Sequence, residues 1–303
     1  YGTLDKICIP NKCRTQLQKT SCISKKSVII GHMRYESIQN QKEEDFKRST
    51  GVSRKVFEKM LDVICKGLRD FGRRPKLSRA DQALLTLMYW REYRTEFHIG
   101  LTYGVSESTV CRTIRKVEDV LIKSGEFPLP GKKELQKSGT TLELVLMDAT
   151  EQAIERPKKR QKRRGKKKRH TQKAQLIVDQ KTQEIIATAF GNGSKHDFQL
   201  FKDSRSVLTA GVRSLADSGY QGLKAWHPKG ETPVKKSKLH PLTPEQKASN
   251  RVLSRQRILV ENVIRRLKIF RILSERYRNR RKRFGLRFNL IAAIHNLELK
   301  MAS

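Results

Sequence analysis

The apolar residues of this chain change their spacing once, and that change limits what it can fold into. Up to about residue 122 of 303 they recur at three- and four-residue intervals, the period of helices. From residue 142 they come in short runs bounded by turn residues, the pattern of strands. Between the two lies KSGEFPLPGKKELQKSG, residues 123–139, rich in Pro, Gly and Lys, which reads as a linker.

In the first part, residues 53–68 predict a helix capped by Ser53, with Val56, Met60, Val63 and Ile64 on one face. Ser78 can cap a second helix, RADQALLTLMYWREY, which is apolar on most sides and so buried. A short helix over residues 95–103, the tight turn YGVS and a helix over 106–122 follow. The last is capped by Ser106; Val110, Ile114, Val117 and Leu121 form its apolar stripe, and Ser108, Thr109, Arg112 and Arg115 lie outward. A helix, a glycine turn and a helix that starts with small polar and Arg residues make the helix-turn-helix arrangement of DNA-binding proteins. An ordinary helical hairpin is the alternative.

In the second part, residues 142–147, 174–178, 184–189 and 212–216 read as strands, the second and third joined by the hairpin turn DQKTQ; residues 233–236 are a candidate fifth. GNGSKHDFQLFKDS is a loop leading into a short helix, residues 248–272 form a long amphipathic helix, and two basic helices finish the chain. The expected class is therefore an α/β domain preceded by an all-α helix-turn-helix domain.

Charge narrows the partner. Sixty-six Lys and Arg against 30 Asp and Glu leave a net charge of +36. That excess repels itself in the compact state, and a nucleic acid relieves it. Residues 156–169 hold 11 Lys or Arg in 14 positions, Lys166, Lys167, Lys168 and Arg169 among them. This run leaves the first strand and returns to the second, so it serves as a phosphate-gripping loop, a solvated loop or a localisation signal. RYRNRRKR, residues 276–283, is a second basic cluster. Five cysteines without a Cys-x-x-Cys pair fit neither a zinc knuckle nor a disulfide framework and point to a reducing compartment. The apolar runs fall far short of the ~20 residues a membrane helix needs.

Three acids stand out by position. Asp148 ends the first strand, Asp217 ends the fourth in SLADSGYQG, and Glu261 lies inside the long helix. Carboxylates at the C-terminal ends of neighbouring parallel strands sit where open α/β sheets bind ligands. Oxygen donors without His or Cys suit Mg²⁺ or Mn²⁺, often as a pair of ions acting on phosphorus. Glu261, Arg265 and Lys268 share one helix face, so the acid would meet metal while the two cations reach phosphates. Each acid also has a plain alternative: a cap at Asp148, a turn at Asp217, and an ion pair of Glu261 with Arg265. His196 and Asp197 are weaker candidates for metal or phosphate, with a loop and helix-cap role as the alternative. Trp226 is a candidate for stacking on a splayed base, against ordinary packing.

MDATEQAIERPKKRQKRRGKKKRHTQKAQLIVD, GSKHDFQLFKDS, ADSGYQGL and VENVIRRLKIFRIL, in that order, resemble the DDE transposases of bacterial insertion sequences, within the family numbered five. The resemblance runs from about Met33 to the C-terminus. It implies a ribonuclease H-like fold, a mixed sheet flanked by helices, and a metal-binding catalytic triad at Asp148, Asp217 and Glu261. It further implies two divalent ions, a dimer or larger assembly on transposon ends, and nicking there followed by strand transfer into target double-stranded DNA. A bacterial cytoplasmic, nucleoid-associated place follows. The expected organisation is an upstream read-through or tail over residues 1–32, a helix-turn-helix domain over 33–125, a linker over 126–141, the catalytic domain over 142–275 and a basic helical segment over 276–303. Met33 is the expected start. A DNA-binding protein without catalysis, or a domesticated transposase, is the alternative function.

Overall fold

The computed structural model describes residues 32–69, 75–137, 142–156, 169–236 and 241–302. Five helices come first: α1 (Glu43–Thr50), α2 (Arg54–Gly67), α3 (Arg79–Glu92), α4 (Glu96–Tyr103) and α5 (Glu107–Lys123). All but α1 were expected. The side chains of Ser53, Ser78 and Ser106 accept the N–H groups of Val56, Asp81 and Thr109, satisfying donors that a helix start leaves open. At α3 the Asp81 carboxylate returns the bond to the Ser78 N–H, closing a capping box. Gly104 ends α4 in the left-handed region, φ 65°, which a residue without Cβ adopts at little cost, and so turns the chain into α5.

The sheet holds β1 (Leu144–Ala153), β2 (Thr171–Asp179), β3 (Ile185–Asn192), β4 (Arg213–Ala216) and β5 (Gly230–Glu231), in the order β3-β2-β1-β4-β5. β2 runs antiparallel to β1 and β3, while β4 runs parallel to β1 and β5. The short α6 (Asp197–Asp203) and α7 (Leu223–Trp226) lie between strands; α8 (Pro244–Leu267) and α9 (Phe284–Ala302) close the chain.

Four expectations are corrected. β1 does not stop before Asp148 but runs on to Ala153, because β2 stays paired with it along that length. The fifth strand is residues 230–231, not 233–236, where Pro233 has no N–H to give a ladder. The long helix starts at Pro244, since Thr243 and Gln246 form a capping box and proline suits the first helical position; it ends at Leu267, not residue 272. One final helix follows, not two. Residues ahead of it form a 3₁₀ turn at Arg271–Leu273 and a bridge of Tyr277 to Ile154.

Strand alternation divides the core. Leu144, Leu146, Leu176 and Leu215 face the helices α8 and α9 and, beyond them, the N-terminal helices, in one continuous apolar cluster that reaches Trp90 and Val117. Val145, Met147, Ile177 and Ala216 face the other way, onto Phe201, Tyr220 and Leu223. Two residues of the expected linker are buried, Phe127 in the first cluster and Leu135 in the second.

A polar bolt crosses the first cluster. Glu118 of α5 is fully buried, and one of its oxygens accepts Trp90 Nε1 (3.1 Å) and Arg287 Nε of α9 (2.6 Å). The other accepts Arg283 Nε (2.6 Å), whose guanidinium also reaches Asp119. Arg287 donates to the Tyr277 hydroxyl (3.0 Å), and the Tyr277 backbone pairs with Ala153 and Glu155 at the end of β1. The outer helix of the helix-turn-helix is thus tied through one buried carboxylate to the strand that carries Asp148.

Candidate active site and DNA-facing surfaces

Met147 and Ala216 are the last pair of the parallel β1–β4 ladder, and the next residue on each strand is an aspartate, Asp148 and Asp217. Alternation places Asp148 on the side of Leu144 and Leu146, and Asp217 on the side of Leu215, both toward α8. Asp148 Oδ1 accepts the N–H of Ala149 (2.8 Å). Asp217 Oδ1 accepts the N–H of Gly219 (2.6 Å) and caps the turn Ser218–Tyr220, so its turn role coexists with its place at the sheet end.

Helix α8 seats Val260, Val263, Ile264 and Leu267 against the sheet, which leaves Glu261 on its open side. The Glu261 side chain is 57% exposed and pairs at 3.8 Å with Arg257, four residues back, instead of with Arg265. The Arg257 Nε is buried without a hydrogen-bond partner. Burial pushes the Asp148 carboxyl up to about 6; the Ala149 N–H and Arg257 pull it down, and the Asp217 and Glu261 charges push it up again. Asp148 therefore feels the charge of both other acids at one end of the sheet. Among the described residues, however, no three Asp, Glu, His or Cys side chains converge closely enough to hold an ion. The donor set is all carboxylate oxygen, the kind of donor a hard divalent cation takes.

Sequence reasoning missed two further groups, Arg257 and Lys173, and left Tyr220 open between base stacking and packing. Arg257 was passed over, though its spacing of four from Glu261 on a helix is a readable signal. Lys173 pairs with Asp197, which makes Asp197 more than a loop cap: His196, the residue ahead of α6, makes no side-chain cap. Tyr220 is fully buried beside the same acids.

The other expected contacts fall on two surfaces. Ser108, Arg112 and Arg115 of α5 are exposed and Thr109 is half-buried, with Arg112 Nε donating to the Ser108 carbonyl (3.2 Å). Arg265 and Lys268 are exposed on the side of Glu261, Lys268 as the residue that ends α8. Arg169 is exposed, while Lys166, Lys167 and Lys168 lie outside the described residues. In the second basic cluster Arg283 is bound to Glu118 and Asp119, and Arg278 sits over the Tyr93 ring (4.1 Å), so these two serve the interior. Trp226 is 55% exposed rather than packed, with the Lys202 ammonium 5.5 Å from its ring centre.

A helix-turn-helix region followed by a mixed sheet flanked by helices is the architecture of a DDE-type DNA endonuclease, and the comparisons agree. Residues 139–297 match the family described as "Transposase DDE domain", and residues 75–127 match "Helix-turn-helix of DDE superfamily endonuclease". The chain belongs to the DDE transposases; it is a DNA-binding enzyme whose family depends on divalent metal. It is 52% identical over 274 residues to the "Probable transposase for insertion sequence element IS702" of Microchaete diplosiphon, covering 89% of this chain and 99% of that one. It is 25% identical over 258 residues to the "Putative transposase for insertion sequence element IS112" of Streptomyces albus G, covering 82% and 93%. No solved structure matches. Among the described residues no helix is long and apolar enough to cross a membrane.

Proposed function

We infer that Asp148, Asp217 and Glu261 are the catalytic triad of a transposase that cuts the ends of an insertion sequence and joins them to target DNA. The observation that carries this reading is the register of β1 and β4, which sets two aspartates side by side beneath a helix bearing a glutamate. The cofactor is Mg²⁺ or Mn²⁺, as two ions. When bound, they supply Lewis-acid activation of the attacking oxygen and neutralise charge at the leaving one. The protein's part is orientation. The Ala149 and Gly219 N–H groups fix one oxygen of each aspartate, leaving the other to face the site. Arg257 holds Glu261 over the sheet end, and Arg265 and Lys268 lie along the same helix to take phosphates.

The partner is double-stranded DNA. The exposed Ser108, Arg112 and Arg115 and the half-buried Thr109 enter the groove at the terminal repeats, and the Lys166–Arg169 stretch grips backbone near the cut. Assembly as a homodimer or larger oligomer on the DNA, and a bacterial nucleoid setting, complete the reading. The test is a metal-dependent nicking and joining assay on terminal-repeat DNA. Asp217→Ala is expected to abolish cleavage and leave end binding largely intact; cleavage at the wild-type rate would overturn the triad. End binding with no cleavage by the wild-type chain would favour a binding protein without catalysis.

A further inference from the structure

On the sheet face turned away from α8 a fourth acid, Asp197, approaches Asp217 at the end of β4. Lys173 of β2 donates to Asp197 Oδ1 (2.7 Å) and to the Lys195 carbonyl (2.7 Å), with 15% of the lysine and 25% of the aspartate side chain exposed. The other oxygen of Asp197 is turned toward Gly219. It lies 2.7 Å from the point a Cβ at residue 219 would occupy, and Asp217 Oδ1 lies 2.8 Å from the same point. Only glycine, with no Cβ, lets both carboxylates approach the turn this closely.

Tyr220 adds a second, independent sign of a ligand. Its side chain is fully buried and its hydroxyl has no hydrogen-bond partner. Burial first, then the charges of Asp197, Asp148 and Asp217, hold the phenol in its protonated form, so it is a donor among acids. A buried donor left without an acceptor carries a cost in stability. A ligand with oxygen lone pairs beside Asp217 removes that cost.

We propose that Asp197 is a positioning residue of the metal centre: it holds the hydration shell of the divalent cation beside Asp217, with Lys173 as its counter-charge and Tyr220 as hydroxyl donor to the same shell. This rests on the reading that Asp148 and Asp217 hold the cation. Asp197 adds negative charge to the cation's surroundings, and Lys173 offsets part of it. Removing the two groups therefore acts in opposite directions, whereas removing either half of a merely structural ion pair acts in the same direction.

The experiment measures Mn²⁺ binding to the full chain without DNA, by the loss of the free-ion signal in electron paramagnetic resonance. Asp197→Asn is expected to weaken binding roughly 10- to 100-fold, the range for groups that act through a metal's own ligands. Lys173→Met is expected to tighten it. Wild-type affinity in Asp197→Asn, or equal weakening in both variants, overturns the proposal. If Asp197→Asn does not fold, as judged by circular dichroism, Lys173→Met decides alone: tighter binding supports, unchanged or weaker binding overturns. Asp217→Asn is the control for the underlying reading. If it keeps wild-type affinity, the metal-site assignment fails, whatever Asp197 does.

Discussion

Replacing Asp148 by asparagine should stabilise the metal-free protein, and only above the pH at which the aspartate ionises. The carboxyl is raised from its ordinary 3.8 to about 6, mainly by burial. The folded state thus holds a proton that the unfolded state has released, so stability is full below the unfolded value and is lost as pH rises through the folded one. At about 1.4 kcal/mol per pH unit, that interval amounts to about 3 kcal/mol. The neutral asparagine carries no such penalty. Urea unfolding in a chelating buffer, compared between about pH 4 and about pH 7.5, should show the Asp148→Asn advantage growing by about 3 kcal/mol across the range. Adding Mg²⁺ should then stabilise the wild type and not the variant. A difference between the two proteins that is flat with pH, or that grows toward low pH, would refute the argument: it would mean that Arg257 and the Ala149 N–H outweigh desolvation.

Arg287→Met should cost about 3–5 kcal/mol in chemical denaturation, because Glu118 stays buried with one charged partner fewer; a loss below about 1 kcal/mol would show the ion pair to be incidental. Arg112→Ala and Arg115→Ala should each weaken binding to terminal-repeat DNA. Each should also lower the slope of log affinity against log salt by about 0.9, read by fluorescence anisotropy; an unchanged slope removes that arginine from the phosphate contacts.

What the sequence disclosed followed from local rules. Ser53, Ser78 and Ser106 mark helix starts because a short polar side chain reaches the open N–H groups two or three residues on, and all three were legible. The strand cores were legible from their apolar runs. The far end of β1 was not, because residues 148–153 are held by pairing with β2 rather than by their own apolar character. Thr243 and Gln246 fall outside the expected helix of residues 248–272, although their spacing is that of a capping box. Asp148 and Asp217 were found as strand ends, but their shared register depends on a parallel pairing between strands more than sixty residues apart, which no local pattern encodes. Asp197, Lys173 and Tyr220 meet only in space. The partner of Glu261 was misread for a simpler reason: two arginines lie four residues from it, one on each side, and the one tucked toward the sheet is Arg257.

The Glu118 bolt and the core around it leave little play between helix α5 and strand β1. A duplex that touches both surfaces of one protomer therefore meets a rigid template, and the shape adjustment falls on the DNA. Bending a site of 20–30 base pairs takes on the order of 1–6 kcal/mol, and flexible pyrimidine–purine steps bend most readily. Base pairs between the bound repeat and the cut, although no side chain reads them, would then be chosen for how easily they deform.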